Sequence, residues 1–481
     1  MRPIITKAGA PGKADEIILL GYQTSKFTQE WFSREERAYI RRQVNSREKT
    51  IVINQFTRRI FIQLIESQDE KHLQLEAARM AGTKVHSRLR ENHISQLIVC
   101  HVDENAEDVL AFAEGLVLVN YQFLKYQTKG KEKEHALSRI ALSCSGIRSS
   151  EVSELNNLLT AVYKARDLVN EPVSSLNAVQ LARAIAAMGK EAGFKVEILD
   201  KARIKALRFG GLLAVNQGSI DPPTFSILRW KPANAKNTKP FVLVGKGIVY
   251  DTGGLSLKPT ADSMDHMKCD MSGAAAVAAA IYALARNKVP VHVIGLVPAT
   301  DNRPGGNAYA PGDVVVMHDK TTVEVLNSDA EGRMILGDAL AYARKMDPAL
   351  AITVATLTGS ASRAIGKYGI VGMGNAPRKL FDSLIESGND VYERIAEFPF
   401  WSEYGDLIKS DLADIQNVGG SDAGAITAGK FLEHFTDYPF IHLDIAGPAF
   451  LKNCDGYRTR GGTATGVRIL YNFLRKQARN R

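Results

Sequence analysis

The sequence Asn327-Ser328-Asp329-Ala330-Glu331-Gly332-Arg333 places two carboxylates, a glycine and a guanidinium within five residues, directly before a helix-like run over 334–345. If Asp329 and Glu331 lie on an extended backbone, their side chains share one face. Two such anions are unfavourable side by side unless a cation lies between them. Gly332 would then allow a sharp turn into the helix, and Arg333 would stand nearby as a fixed positive charge. Taken alone, the pattern also fits a solvated turn with a helix-capping acid.

The composition is that of an ordinary globular protein with more than one domain. The chain has 481 residues, of which 45% are hydrophobic and 23% charged, and this predicts two or three domains with a large core. The net charge of +9 is divided into +5 for residues 1–150 and +4 for the remainder. Because this excess is evenly spread, we expect no nucleic-acid partner.

The spacing of the cysteines and the hydropathy of the chain indicate where in the cell the protein is expected. The four cysteines form no CxxC pair, which argues against a disulfide scaffold and against a structural zinc knuckle. The first residues lack the apolar core of a secretion signal. The longest apolar stretch, 273–285, is too short and too rich in alanine to span a membrane. We therefore expect a cytoplasmic protein with no membrane partner.

Short apolar runs alternate with helical patterns, which predicts an α/β protein. We expect a small N-terminal α/β domain over 1–150, a linker helix over 151–172 and a larger α/β domain over 173–481. Continuous apolar runs in the larger domain predict a mostly parallel central sheet flanked by helices. In such sheets, sites form beyond the carboxyl ends of the strands. Strands are predicted at 51–54, 96–102, 195–199, 240–245, 289–297, 350–355 and 440–445, and helices at 107–118, 152–169 and 178–192.

Four acids and three basic residues stand among glycines in this larger domain. Four carboxylates around one point need roughly four positive charges, which two divalent ions supply. Ligation by oxygen without histidine or cysteine favours Mg or Mn, although zinc also accepts carboxylates. A lysine can ligate only as the neutral amine, and a nearby dication lowers its pKa. The set comprises Asp251, Asp270, Asp329, Glu331, Lys246, Lys258 and Arg333.

Parts of this set also fit other interpretations. Gly245-Lys246-Gly247 is similar to a fragment of a P-loop, but the spacing G-x-x-x-x-G-K-[ST] is absent. Neither HExxH nor HxH occurs, so the histidines are expected to be surface or packed residues. Any one of the acids alone would more often form a surface ion pair. It is the combination that indicates a metal centre.

Several blocks closely resemble the cytosolic leucyl aminopeptidase family, the M17 metallopeptidases. VGKGIVYDTGG begins at Val244, SLKP at Ser256, DMSGAAA at Asp270 and NSDAEGR at Asn327. Further matches are TLTG, HLDIAG and NRPGGNAYAPGD, which begin at Thr356, His442 and Asn302. The resemblance covers roughly residues 160–475, with a weaker extension near residue 113.

The resemblance implies a metal-dependent aminopeptidase that releases N-terminal residues, leucine and similar apolar ones, from peptides with a free N-terminus. Attack would come from a hydroxide bridging two divalent ions, Zn or Mn, with Mg or Co also possible. Asp251 and Glu331 would bridge the two ions. Lys246 and Asp270 would complete one ion's site, and Asp329 the other.

The resemblance also implies roles for residues beyond the metal ligands. Lys258 would polarise the scissile carbonyl, and Arg333 would hold a bicarbonate that relays the proton. Leu357 would contact the substrate backbone. The pocket for the first side chain would be formed by Met267, Thr356, Gly359, Ala446 and Ala449.

The resemblance also implies an oligomeric state, and the sequence differs from the family pattern at two places. The family forms hexamers, so a homo-hexamer is expected. Ser328 stands where the family usually has threonine, and because the hydroxyl is kept, little effect is expected. The stretch between Lys258 and Asp270 is one residue longer than usual, which could shift the loop carrying Met267 and change substrate preference.

Two other functions remain as alternatives. Paired metals also suit a two-metal phosphoesterase, although such sites usually include histidines. The N-terminal domain could have a DNA-binding accessory role, which the even charge distribution argues against.

Overall fold

The fold is described by a computed structural model that covers residues 2–12 and 15–479. The chain forms two compact units, of which the first runs to Tyr163 and also includes 453–460. The second begins at Lys164 and contains the rest of the chain. Within the described ranges, none of the helices combines the length and the apolar character needed to cross a bilayer.

The first unit is built on a six-stranded sheet. Its strands are β1 (Ile4–Lys7), β2 (Ile17–Gly21), β3 (Thr50–Asn54), β4 (Arg59–Leu64), β5 (Gln96–His101) and β6 (Arg139–Ser143). The strand order is β1-β6-β5-β2-β4-β3, and every pair is parallel except β3 with β4. Its helices are α1 (Arg34–Asn45), α2 (Lys71–Glu91), α3 (Ala106–Val119) and α4 (Ser149–Asn170), the last of which continues into the second unit.

The second unit contains a nine-stranded sheet and two small ones. Its strands are β7 (Lys195–Leu199), β8 (Thr224–Trp230), β9 (Phe241–Gly245), β10 (Gly247–Asp251), β11 (Val293–Asn302), β12 (Val314–Val316), β13 (Thr322–Glu324), β14 (Leu350–Ala355), β15 (Ile370–Gly374), β16 (Ile395–Glu397), β17 (Ile415–Gln416), β18 (Phe440–Asp444), β19 (Phe450–Leu451) and β20 (Gly461–Gly462). The large sheet has the order β16-β15-β18-β14-β9-β11-β8-β7, and β10 pairs with β11.

Helices cover both faces of this sheet. They are α5 (Ala178–Ala192), α6 (Lys201–Ala206), α7 (Gly210–Asn216), α8 (Ser272–Arg286), α9 (Glu331–Ala343), α10 (Gly359–Ile365), α11 (Arg378–Asp390), α12 (Glu403–Asp406), α13 (Gly424–His434) and α14 (Val467–Arg479). Alternate residues of β9 face opposite sides: Val242 and Val244 pack in the core that contains α7 and α9, whereas the ring of Phe241 contacts Phe473 of α14.

The central strands of the large sheet are parallel. β18, β14, β9 and β11 run in the same direction as neighbours, and β10 is parallel to β11. Antiparallel pairs occur towards the edges, where β11 meets β8, β8 meets β7 and β15 meets β18. The predicted fold class, α/β with a mostly parallel central sheet flanked by helices, is confirmed. The carboxyl ends of five parallel strands therefore lie along one edge.

Helix α8 is buried around its whole circumference. Every residue from Ser272 to Ala285 is buried, and most are alanine. A methyl group at Gly273 would lie 1.9 Å from the carbonyl oxygen of Val354 in β14. The helix can approach the sheet this closely because its side chains are small.

Candidate metal centre

The candidate site lies at the carboxyl edge of the parallel strands. Lys246 directly follows β9, Asp251 ends β10, Asn302 ends β11, Thr356 follows β14 and Asp444 ends β18. Because these strands are parallel neighbours, their ends converge, as expected for α/β sheets. Chain topology thus brings together residues that are far apart in the sequence.

Two lysines and four acids meet at this edge. The Nζ atom of Lys246 lies 2.8 Å from Asp270 Oδ2 and 2.9 Å from Glu331 Oε1. The Nζ atom of Lys258 lies 2.9 Å from Asp251 Oδ2 and 2.5 Å from Asp329 Oδ1. All the predicted ligand residues and Lys258 therefore belong to one cluster.

The acidic motif has a backbone different from the predicted one. Ala330 has φ −104° and ψ 34°, and Glu331 is the first residue of α9. The condition considered for the sequence, an extended backbone over 329–331, is therefore not met. Asn327 explains the difference, because its Oδ1 accepts the N–H of Asp329 at 2.8 Å and its backbone carbonyl accepts the N–H of Ala330 at 3.2 Å. An asparagine that bonds backbone two residues further on forms a turn.

Gly332 has a different use from the predicted sharp turn. It lies inside α9, and its φ is not positive. A Cβ atom at this position would lie 2.5 Å from Cε and 2.7 Å from Nζ of Lys246. The glycine thus makes room for the lysine side chain beside the helix.

The carboxylates are close enough to share cations. Asp251, Asp329 and Glu331 each offer an oxygen, and these oxygens all lie within 4.8 Å of one another. Glu331 is 1% exposed, and its Oε2 atom has no hydrogen-bond partner among the described residues. Buried carboxylate oxygens in such a group are suitable ligands for divalent ions. The residues present therefore fit the metal ions that the sequence predicts.

The pKa values of the acids reflect crowded negative charge. Burial raises the pKa of Asp270 and of Glu331. Burial, together with the charges of Asp251 and Glu331, raises the pKa of Asp329 to about 7. A carboxyl that resists ionisation in this way needs added positive charge to stay ionised.

The same crowding of carboxylates favours the charged form of the two lysines. Burial acts to lower the pKa of Lys246, but the carboxylates of Asp270 and Glu331 outweigh burial and raise it. The pKa of Lys258 is raised in the same way, chiefly by Asp251 and Glu331 against burial. Each ammonium group is thus stabilised by the acids around it.

Asn302 is a site residue that the sequence argument did not single out. It is buried, and its Nδ2 group donates to Asp251 Oδ1 at 2.8 Å and to the carbonyl oxygen of Ser328 at 3.0 Å. The hydroxyl of Tyr309 also donates to the Ser328 carbonyl, at 2.8 Å. The one signal in the sequence was the place of Asn302 at the start of a matching block, which indicated no contact.

Ser328 uses its hydroxyl to join two segments of the site. Its Oγ donates to the carbonyl of Gly253 at 2.7 Å and accepts the N–H of Ser256 at 2.8 Å. These bonds tie the loop after β10 to the acidic motif. A serine hydroxyl is sufficient for both contacts.

Arg333 lies on α9, two residues after Glu331. It is 7% exposed, and its Nη1 donates to the carbonyl of Asn417 at 2.7 Å. Its Nε is buried without a hydrogen-bond partner in the described part of the chain. Burial lowers the pKa of Arg333 to about 10, against the opposing effect of Glu331 and Asp444. The guanidinium therefore remains charged at neutral pH.

Three of the predicted substrate-binding residues make hydrogen bonds at the same edge. Thr356 donates from Oγ1 to Asp270 Oδ1 at 2.7 Å, and the backbone N–H groups of Leu357 and Ala446 both donate to Asp444 Oδ1 at 3.1 Å. These contacts connect three of the predicted residues to the cluster or to each other. The others are Met267, half-buried in the 3₁₀ turn Met264–Met271, Gly359, exposed at the start of α10, and Ala449, buried after β18.

The cluster at the carboxyl edge of this parallel α/β sheet brings together the carboxylate oxygens that divalent metal ions bind, and this defines a candidate metal centre. A family model described as "Cytosol aminopeptidase family, catalytic domain" matches residues 163–471. The chain belongs to this family, and the predicted membership of the M17 aminopeptidases is confirmed. The matched region corresponds to the catalytic domain of that family.

Individual relatives support the assignment. The probable cytosol aminopeptidase of Chlorobaculum tepidum is 52% identical over 315 residues, which cover 65% of this chain and 62% of that protein. The probable cytosol aminopeptidase of Chlorobium limicola is 43% identical over 380 residues, which cover 76% of this chain and 75% of that protein. The match to the first thus spans less than two thirds of that relative's length.

Two solved structures have the same fold. The bottromycin maturation enzyme BotP in complex with Mn superposes with a TM-score of 0.86 at 28% identity, covering 97% of this chain and 100% of that chain. A mutant of tomato leucine aminopeptidase gives a TM-score of 0.86 at 23% identity, covering 98% and 96%. The second likeness supports the fold alone.

Proposed function

We propose that the protein releases N-terminal amino acids, leucine and similar apolar residues above all, from peptides with a free N-terminus. The observation that carries the proposal is the group formed by Asp251, Asp329 and Glu331, whose oxygens lie within 4.8 Å of one another. Family membership selects peptide hydrolysis over phosphoester hydrolysis as the chemistry of this group.

The proposed centre holds two divalent ions. Asp251 and Glu331 would hold both ions, Lys246 and Asp270 would help to hold one of them, and Asp329 would help to hold the other. Manganese or zinc fits this set of oxygen and amine ligands, and magnesium or cobalt is also compatible. The related enzyme BotP was solved in complex with Mn, which supports manganese. When bound, such ions supply Lewis-acid activation of water and of a carbonyl.

The lysine outside the ligand set has its own proposed role. Lys258 is partly accessible, with 13% of its side chain exposed, whereas the side chain of Lys246 is 3% exposed. An ammonium at this position can donate to a carbonyl oxygen as negative charge develops on it. Lys258 therefore stabilises the oxyanion during attack.

Arg333 is proposed to hold a bicarbonate ion. Its guanidinium is buried and charged, and its Nε has no hydrogen-bond partner within the described ranges. A planar guanidinium binds a planar oxyanion in a bidentate manner. Bicarbonate in this place would carry the proton to the leaving amine.

The first side chain of the substrate is proposed to lie among Met267, Thr356, Gly359, Ala446 and Ala449. Leu357 is proposed to contact the substrate backbone. The small side chains of Ala446 and Ala449 leave space for a branched apolar side chain of the substrate. The longer loop before Met267 tunes this preference.

The remaining assignments concern domains and assembly. The catalytic domain is assigned to 173–481, with a linker helix at 151–172 and a macro-like domain at 1–150. A cytoplasmic location and a homo-hexamer are proposed. Light scattering of the purified protein tests the hexamer, and a stable monomer would contradict it.

The function is tested by adding single divalent ions to metal-stripped protein. Release of amino acids is then measured over a panel of aminoacyl amides, with N-acetyl-leucinamide as the blocked control. We expect hydrolysis of leucinamide that depends on metal, with none of the acetylated substrate. Faster hydrolysis of p-nitrophenyl phosphate than of every amide would favour the phosphoesterase alternative.

A further inference from the structure

A single buried carboxylate joins the two loops next to the metal centre. Asp444 is 1% exposed and ends β18. Its Oδ1 accepts the backbone N–H groups of Leu357 and Ala446, each at 3.1 Å. Its Oδ2 accepts the hydroxyl of Thr358 at 2.8 Å. The loop after β14 and the loop after β18 are therefore attached to the same side chain.

The loop after β14 is also held by hydrogen bonds to two residues of the acid and lysine cluster. Thr356 donates from Oγ1 to Asp270 Oδ1 at 2.7 Å, and its carbonyl accepts Lys246 Nζ at 3.0 Å. Thr358 in turn accepts the N–H of Ala361 at 3.0 Å, which caps α10. Residues 356–358 thus have a defined conformation that depends on groups at both ends.

A carboxylate suits this position because the three groups around it are all donors. An ionised aspartate offers two oxygens that only accept hydrogen bonds. Replacing it with an apolar residue would leave two N–H groups and a hydroxyl without their partner. The loops would then lose the contact that holds them together.

We propose that Asp444 is a positioning residue, which holds Leu357 and Ala446 in the arrangement that binds the first residue of the substrate. This inference rests on the proposed function, because that function assigns both residues to substrate binding. Asp444 acts through the two loops and does not touch the reacting atoms. Its loss should weaken substrate binding and leave the metal centre intact.

The test compares Asp444→Ala, Asp444→Asn and the parent protein. In Asp444→Ala we expect KM for leucinamide to rise about tenfold or more, with kcat within about threefold of the parent, as for a lost binding interaction. Metal content, measured by elemental analysis, should equal that of the parent. Asp444→Asn should restore KM to within about threefold, because its Oδ1 can still accept both N–H groups.

Asp338 provides a matched control for the loss of a buried acid. It is fully buried in α9, and it accepts the N–H groups of Leu212 and His318, each at 2.9 Å. Neither of these bonds involves the loop after β14 or the loop after β18, so Asp338→Ala should leave KM unchanged. An equal rise in KM in both alanine variants, or an unchanged KM in Asp444→Ala, would overturn the proposal.

Two further measurements keep the proposal testable. If Asp444→Ala does not fold, Thr358→Val removes the hydroxyl bond from the loop side, and Thr358→Ser retains it; only the valine variant should raise KM. Hydrogen exchange at Leu357 and Ala446 should be faster in the valine or alanine variant than in its control. If the parent hydrolyses no amide, the proposed function fails, whereas exchange still reports whether the carboxylate holds the loops. Unchanged exchange would contradict the inference itself.

Discussion

Gly332 on helix α9 and the side chain of Lys246 occupy adjoining space, so that a methyl group on the glycine would lie 2.5 Å from the lysine Cε. The end of the lysine side chain that contacts Asp270 and Glu331 lies against this point on the helix. The absence of a side chain at residue 332 is therefore part of the construction of the metal centre.

Gly332→Ala should displace Lys246 and weaken the metal site that this lysine completes. The added methyl group would meet Cδ, Cε and Nζ of Lys246, so the end of this side chain would have to move away from Asp270 and Glu331. We expect reduced metal content by elemental analysis and reduced amide hydrolysis. Gly405→Ala is the control, because a Cβ there meets nothing within 4 Å. Full metal content in Gly332→Ala would show that the lysine can rearrange.

Lys258→Ala should lose most of its turnover while retaining metal. Removal of one donor to a developing oxyanion lowers kcat by about 10²–10³-fold. The acids that Lys258 contacts, Asp251 and Asp329, are unchanged in this variant and stay available as the proposed ligands. Turnover on leucinamide and metal content are measured on the same preparation. Turnover equal to that of the parent would remove Lys258 from this role.

Glu331→Ala should lose metal as well as activity, because the proposed role of Glu331 involves both ions. Glu324→Ala is a suitable control, since this residue lies on the short strand β13 and bonds Ser410. Elemental analysis after gel filtration measures the bound metal. Two ions retained per subunit would contradict the bridging role.

The lowered pKa of His442 should make the stability of the protein depend on pH. Burial and the charge of Arg333 lower the pKa of His442 to about 3. Between this pKa and the unfolded value of about 6.5, only the unfolded chain binds the extra proton, so stability falls as the pH falls. From pH 6.5 to 5 the free energy of unfolding should decrease by about 2 kcal/mol through this group.

His442→Asn tests that expectation by urea unfolding at the two pH values. The asparagine carbonyl can replace the ring nitrogen Nδ1, which lies 2.8 Å from Thr353 Oγ1. Acidification from pH 6.5 to 5 should lower the free energy of unfolding of the variant by about 2 kcal/mol less than that of the parent. Equal losses in the two proteins would assign the effect to other groups.

Elements with a strong local pattern were predictable from the sequence. The helix over 178–192 and the strands over 195–199 and 350–355 have the predicted bounds. The strand predicted over 289–297 instead runs from Val293 to Asn302. Its start is delayed by a turn in which Val291 bonds Val289, and its end is extended by pairing with β10. Both effects depend on contacts that periodicity does not contain.

The residue types of the site were easier to predict from the sequence than its geometry. Residue types indicated a cluster of acids and lysines, and the structure brings these residues together. The turn at 329–331 was not apparent from the sequence, because it depends on a hydrogen bond to the side chain of Asn327. Asn302 and Asp444 were not assigned a role, because an isolated amide or acid at the end of a strand carries no signal of its partners. Their functions become visible only when neighbouring strands are placed together.

The alanine-rich helix α8 limits where substitutions can be made in this protein. Its side chains fill their space on every side, and its first turn adjoins β14 at Gly273. A library that diversifies this helix would return mostly unfolded proteins, since added methylene groups have nowhere to go. Met267, which follows the loop after β10, and Ala446, in the loop after β18, are only partly buried. New substrate preferences should therefore be sought by randomising these loops while the helix behind them is held constant.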